Sequence, residues 1–169
     1  MYPNTTSTPS PYQEWLSDLE IEVLKLEDSS VECDGMTWLI SYALRAAGVD
    51  FAVMQGYVQH QYMGLVAPHY WIEMPLGYVI DLRLRLWLGD EDEVPHGIFH
   101  PDCHEAFKYV GTRVAGLQLS EVLASCLSDK RIEWVRIPCP PNQSHAYKQA
   151  ISAMSAESQH GCARGVLAS

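Results

Sequence analysis

The chain has 169 residues, of which 47% are hydrophobic and 19% charged, a composition typical of a folded globular domain and not of a disordered segment. Its 11 lysine and arginine residues stand against 21 acidic ones, and the formal charge of −10 argues against nucleic acid and anionic lipid surfaces as partners. No apolar stretch approaches the roughly 18 residues of a membrane span, so we expect no contact with a membrane.

Five cysteines are spread along the chain without a CxxC pair: Cys33, Cys103, Cys126, Cys139 and Cys162. The odd number and the spacing predict reduced thiols and not a disulfide scaffold. The N-terminus has neither the basic start nor the apolar core of a signal peptide. We therefore expect a soluble protein that is cytoplasmic where it is made, and the sequence carries no signal for its oligomeric state.

The pattern predicts one domain between two irregular ends. Residues 1–11 are rich in Pro, Ser, Thr and Asn and should form a flexible lead. A last helix is predicted at 144–156, and residues 157–169 have no periodicity, which predicts a frayed tail. The span 12–156 is long enough for a single domain with a sizeable core.

Two amphipathic helices are predicted before any strand. Apolar residues recur at steps close to 3.6 over 12–27 and again over 34–47, where Gly48 follows as a C-terminal cap. A shorter helix is predicted at 119–127, with Ser120 as its N-cap.

Four stretches are predicted as strands: 51–59, 69–74, 77–84 and 131–137. Only a short turn separates the second strand from the third, and Gly77 favours a tight antiparallel hairpin there. Helices combined with antiparallel strands indicate the α+β fold class.

The second helix begins near Cys33, where unpaired backbone N–H groups and the helix dipole would stabilise a thiolate. A thiol nucleophile also needs a base, and His69 opens a predicted strand. Asp81 lies in an otherwise apolar strand, where a carboxylate is costly to bury unless it is paired. A hairpin turn near 75–77 sets His69 opposite about 81–83, so we expect His69 and Asp81 to lie side by side.

Three motifs in this order resemble the transglutaminase-like superfamily of the papain-like cysteine enzymes. Cys33, with the helix that ends in RAAGVDFAVMQGYV, is similar to the nucleophile helix and following strand of that family. His69 in HYWIEM is similar to its His-x-Trp-x-Glu segment, and Asp81 in GYVIDLRL to its strand-borne Asp. The resemblance covers about residues 30–87.

The resemblance implies a papain-like, transglutaminase-like core in which the nucleophile helix packs against an antiparallel sheet. It also implies a Cys-His-Asp triad that performs acyl transfer on an amide of a protein or peptide substrate, with no cofactor and no metal. Peptide hydrolysis or glutamine deamidation is favoured over cross-linking, because the compact chain shows no calcium loops or additional domains. Export as an effector that acts on host proteins is compatible with this resemblance.

An acyl-transfer site needs donors for the oxyanion, and the resemblance implies the backbone N–H of Cys33 plus a side chain that precedes it. Gln13 and Trp15 are the upstream options. Trp71 alternates with His69 on one strand face and should form a wall of the cleft.

Two features depart from the family pattern. Glu32 and Asp34 flank the nucleophile where the family often has small residues, and their charges would oppose a thiolate if they faced the sulfur. We expect both to point to solvent, with Asp34 a further cleft candidate by its position. After Asp81 the residues LRLRLW are expected to continue as strand.

Taken singly, each of the three residues has a structural explanation. Cys33 would be a buried thiol, His69 a hydrogen-bonded sheet histidine, and Asp81 an ion-pair partner of Arg83 or Arg85. A binding module that keeps the fold without activity is accordingly the main alternative to an enzyme.

A metal-binding protein is the lesser alternative. The stretch 89–104 is predicted as a polar surface loop, and it contains four residues of types that bind zinc: His96, His100, Cys103 and His104. Their spacing matches no common zinc site, so we expect no metal. Cys126 and Cys139 are expected in or near the core.

Overall fold

The computed structural model describes residues 10–141. The chain divides into two units, Met1–Cys139 and Pro140–Ser169, and Pro140 and Pro141 are the described residues of the second. The predictions of a helix at 144–156 and of a frayed tail therefore lie outside the described residues, as does nearly all of the flexible lead. Within 10–141, no helix has both the length and the apolar character to cross a membrane.

The helices and strands follow one another in this order: α1 (Pro11–Leu24), α2 (Cys33–Ala46), β1 (Ala52–His60), β2 (Gly64–Glu73), β3 (Val79–Asp81), α3 (Leu84–Leu88), β4 (Gly97–Phe99), β5 (Phe107–Val114) and α4 (Glu121–Leu127). Short 3₁₀ turns lie at Pro75–Gly77, Pro101–His104 and Arg131–Trp134. The fold class α+β is confirmed.

The predicted helices are present with small shifts of their ends. Ser10 and Gln13 form a reciprocal capping box that starts α1, so this helix begins slightly earlier than predicted and ends at Leu24. The hydroxyl of Ser120 accepts a hydrogen bond from the N–H of Leu123, as expected of the N-cap of α4.

All strand pairs are antiparallel, in the order β4-β3-β2-β1-β5. The predicted hairpin is confirmed, because Ile72 of β2 pairs with Ile80 of β3. Leu76 and Gly77 have φ values of 63° and 79°, and the glycine adopts this left-handed geometry without steric cost.

The strand predicted at 77–84 is only three residues long, and the residues expected to continue it form α3 instead. Asp81 ends the strand because its Oδ1 accepts hydrogen bonds from the N–H groups of Arg83 and Leu84, at 2.9 and 3.1 Å. These bonds fold the backbone into a turn, and the helix starts from that turn.

Two other predictions are wrong, and one strand was missed. The stretch 131–137 is a 3₁₀ turn followed by irregular chain, since it buries Ile132 and Val135, which lie three residues apart as on a helical turn. The loop 89–104 contains β4, and β5 was not predicted at all.

Cys126 and Cys139 are exposed, contrary to expectation. Ala124 takes the inward position of α4 instead.

The two faces of the sheet have different roles. One face packs on α1 and α2 and contributes Val53, Ile72 and Ile80 to the main core. The opposite face is concave, and the two outer strands meet across it: the rings of Phe99 on β4 and Tyr109 on β5 have centroids 5.8 Å apart. The sheet is therefore curled, and its concave side encloses the polar groups described next.

Candidate functional site

Cys33 is the first residue of α2, and its side chain is buried. Glu32 is the N-cap and makes no side-chain capping bond, so the carboxylate in contact with an N–H group of the first turn is that of Asp34, which accepts from Gly35. Deeper in the helix, Thr37 donates its hydroxyl to the carbonyl of Cys33 at 2.7 Å, which satisfies a buried polar group locally. The nucleophile candidate thus lies at the positive end of the helix dipole.

His69 and Asp81 are in direct contact, as the hairpin register predicts. The Nε2 of His69 lies 2.6 Å from Oδ2 of Asp81. Both side chains are buried, which makes this a pair in surroundings of low dielectric.

The carboxylate of Asp81 accepts four hydrogen bonds. Two backbone N–H groups bind Oδ1, while Oδ2 accepts from His69 and, at 2.9 Å, from the hydroxyl of Tyr109. These four hydrogen bonds offset the cost of burying the carboxylate.

The surroundings of His69 favour its protonated ring. Burial alone disfavours the imidazolium, but the hydrogen bond and charge of Asp81, followed by those of Cys33, outweigh burial and raise the pKa of His69 from 6.5 to about 9. The other ring nitrogen, Nδ1, is buried and makes no aligned hydrogen bond within residues 10–141. Since Nε2 is bound to Asp81, we infer that Nδ1 is the nitrogen that serves Cys33.

Arg83 connects Asp81 to the segment that leads into α2. Its guanidinium donates to the backbone carbonyls of Val31 at 2.8 Å, Glu27 at 2.9 Å and Ser29 at 2.7 Å, as well as to that of Leu82 at 3.0 Å. The side chain is buried, so these bonds are shielded from competing water. The backbone N–H of the same residue binds Asp81. Arg83 therefore connects the His69–Asp81 pair to the segment that leads into Cys33.

Gly35 lets this segment pack closely on α2. A Cβ at this position would lie 2.8 Å from the Cβ of Val31, which is too close for any other residue without movement. The close approach keeps residues 27–31, whose carbonyls bind Arg83, packed against the first turn of α2.

Trp71 lies beside His69, as predicted for a wall of the site. The two rings are nearly parallel, at 22°, with centroids 6.1 Å apart. The ring of Tyr109 packs edge-on against the indole, with the two ring centroids 5.2 Å apart. Gly111 makes room for the indole, because a Cβ there would lie 2.5 Å from its Cη2 atom.

The other predicted cleft residues have their polar groups engaged elsewhere. The Oε1 of Gln13 accepts from the N–H of Ser10 at 3.0 Å, and Nε1 of Trp15 donates to the carbonyl of Pro138 at 3.0 Å. Asp34 is exposed and binds the N–H of Gly35. These contacts give no support for an oxyanion role of Gln13 or Trp15, and they agree with the expectation that Asp34 points to solvent.

Access to the site is restricted. His69 and Asp81 have 0% and 2% of their surface exposed, whereas Cys33 retains 8%. Of the three residues, Cys33 is therefore the most accessible to a reagent or substrate.

The histidines of the 96–104 loop do not gather. The Nε2 of His96 lies 2.9 Å from Oε1 of Glu27, and Nδ1 of His100 lies 3.5 Å from Oδ2 of Asp102. In the part of the chain that the structure describes, no three His, Cys, Asp or Glu side chains are grouped so as to hold a metal ion.

Tyr109 and the role of Arg83 were not found by sequence reasoning. The alternation of FKYVGTRV would have indicated a strand, but no local pattern shows that its tyrosine reaches an aspartate three strands away. The two arginines expected as ion-pair partners of Asp81 bind other groups: the guanidinium of Arg83 binds carbonyl groups, and that of Arg85 pairs with Asp90.

Comparison with known proteins finds no match: no family model, no curated protein and no solved structure matches the chain. The resemblance to the transglutaminase-like superfamily remains a prediction from three motifs.

Proposed function

We propose that the protein is a cysteine-dependent acyl-transfer enzyme that acts on an amide bond of a protein or peptide. The observation that carries this proposal is the buried 2.6 Å contact between His69 and Asp81, next to a cysteine that begins a helix. A thiol, an imidazole and a carboxylate in this order are the groups that covalent catalysis by cysteine requires. Membership of the transglutaminase-like, papain-like enzymes is part of the same proposal.

In the first half of the reaction, the thiolate of Cys33 attacks the amide carbonyl carbon and forms a C–S bond. The imidazolium of His69 then gives its Nδ1 proton to the amide nitrogen, the C–N bond breaks, and an amine or ammonia leaves. The raised pKa of His69, about 9, means that this proton is present at neutral pH.

In the second half, water attacks the thioester while neutral His69 accepts one of its protons. The C–S bond breaks, and the thiolate of Cys33 and a carboxylic acid product are released. Asp81 holds the ring throughout and stabilises the imidazolium without taking its proton.

The oxyanion of each tetrahedral intermediate needs hydrogen-bond donors. We assign this role to backbone N–H groups in the first turn of α2, because the first N–H groups of a helix have no carbonyl partner within it. Cys33 supplies one of them.

Hydrolysis of a peptide bond and deamidation of a glutamine follow the same steps and differ in the leaving group. We favour these two reactions over cross-linking, in which an amine would take the place of water. Mass spectrometry of candidate proteins, treated with the native chain or with Cys33→Ala, distinguishes a cleaved product from a deamidated glutamine.

Alkylation by iodoacetamide tests the proposal without a substrate. Cys33 is buried and Cys126 is exposed, so accessibility alone predicts that Cys126 reacts faster. We expect the opposite order at neutral pH, by at least about tenfold, because only a thiolate reacts. The His69→Ala variant should lose this advantage, with Cys126 as the control within the same molecule.

Equal or slower labelling of Cys33 in the native chain would contradict the enzyme. That result would favour the alternative of a binding module that retains the fold.

A further inference from the structure

Tyr109 and His69 share one oxygen of Asp81. The hydroxyl of Tyr109 donates to Oδ2 at 2.9 Å, and Nε2 of His69 lies 2.6 Å from the same atom. Tyr109 comes from β5, at the far edge of the sheet, and reaches Asp81 only because the sheet is curled.

Asp81 does not depend on Tyr109 for its position. Its Oδ1 is held by the backbone N–H groups of Arg83 and Leu84, at 2.9 and 3.1 Å. The hydroxyl of Tyr109 therefore has a different effect: it is a second hydrogen-bond donor to Oδ2, the oxygen that binds the imidazole. Burial and the charge and hydrogen bond of Asp81 raise the pKa of Tyr109 well above 10, so the hydroxyl keeps its proton.

We propose that Tyr109 is a positioning residue of this site: its hydroxyl shares the Asp81 oxygen that binds His69, and so limits how tightly the carboxylate retains the imidazole proton. Two donors on one oxygen divide its negative charge, and each bond is weaker than it would be alone. The inference rests on the proposed function, since acyl transfer requires His69 to release this proton to a leaving group and later to accept another.

Among residues 10–141, the titratable groups that raise the pKa of His69 are Asp81 and Cys33. Asp81 faces it from β3 and Cys33 from α2, and the charge of Arg83 reaches it indirectly, through Asp81. Its neighbours Gly56 on β1 and Trp71 on its own strand carry no charge. Tyr109 also touches Trp71, which stacks on His69, but Tyr109→Phe keeps that ring contact, so loss of the hydroxyl acts on His69 through Asp81.

The test is the titration of His69 by NMR in the native chain and in Tyr109→Phe, with the signal assigned by its loss in His69→Gln. Phenylalanine keeps the ring that packs on Trp71 and Phe99, so the variant should fold. We expect the pKa of His69 to rise by about one unit, because Asp81 then holds the imidazolium alone. Tyr70→Phe, which removes a hydroxyl from the opposite face of the sheet, should leave the titration unchanged.

An unchanged or lowered pKa of His69 in Tyr109→Phe would overturn the inference, because Tyr109 would then be only a packing residue or a support for Asp81. The titration requires no reaction of Cys33. Failure of Cys33 to outpace Cys126 in alkylation would refute the proposed function while leaving the titration result valid, so the two failures are distinguishable.

Discussion

Asp81 shows how far a single residue can be interpreted from sequence. A carboxylate inside GYVIDLRL predicts a buried charge with partners, and the hairpin register correctly names His69 as one of them. The other partners could not be predicted. Two of them are backbone N–H groups that become available only once the strand turns into α3, and the third, Tyr109, lies on a strand that pairs elsewhere.

The raised pKa of His69 makes stability depend on pH. The pKa rises from 6.5 to about 9 on folding, so the stabilisation is complete below pH 6.5 and is lost as the pH rises through 9. We expect the pair to contribute up to about 3 kcal/mol to the free energy of unfolding below that window. Urea unfolding of the native chain and of His69→Gln, below pH 6.5 and near pH 9, measures this contribution.

The difference in stability between the two proteins should be largest at the acidic end and should shrink toward pH 9. Glutamine retains an N–H donor for Asp81, which makes it a suitable control for the charge. A difference that does not vary with pH would show that His69 gains no proton affinity on folding.

At the scale of elements, one residue, Arg83, binds both the segment before α2 and the end of β3. Arg83 lies in the turn between β3 and α3, and its guanidinium binds the chain just before the nucleophile. The helix pattern predicts where α2 lies, but its orientation toward His69 depends on this distant arginine, since helix periodicity carries no information on partners.

Removal of this guanidinium should loosen the site before it unfolds the protein. We expect Arg83→Met to lower the free energy of unfolding by about 3 kcal/mol or more, because several buried carbonyls lose their donor. Arg83→Lys should lower the free energy of unfolding by a smaller amount, since one ammonium cannot reach all the carbonyls. Urea unfolding gives the free energies, and iodoacetamide labelling of Cys33 under native conditions should slow in both variants.

Arg85→Lys is the matched control, because Arg85 is less buried and binds one carbonyl and the exposed Asp90. It should change stability by less than about 1 kcal/mol. Equal effects of the substitutions at 83 and 85 would mean that the carbonyl contacts of Arg83 do not organise the site.

At the scale of the whole molecule, acidic residues outnumber basic ones by 21 to 11. A formal charge of −10 predicts self-repulsion in the compact state. We expect the thermal midpoint to rise when NaCl is added to about 0.5 M, because salt screens repulsion between exposed acids.

KCl at the same ionic strength serves as the control and should have the same effect, since screening depends on ionic strength and not on the cation. A midpoint that falls with salt would show that attractive pairs, such as Lys25 with Glu22 at 2.6 Å, outweigh the net repulsion.

The sequence by itself determined α1, α2, α4, the β2–β3 hairpin and the meeting of His69 with Asp81, because these depend on local periodicity and on a turn of a few residues. Only the tertiary structure decided that Cys33 lies near enough to raise the pKa of His69, that Arg83 binds the segment before α2 and that Tyr109 donates to Asp81. Those contacts depend on how elements pack and on the curl of the sheet. Packing sums many weak interactions between residues that are distant in the chain, and no short stretch of sequence carries that information.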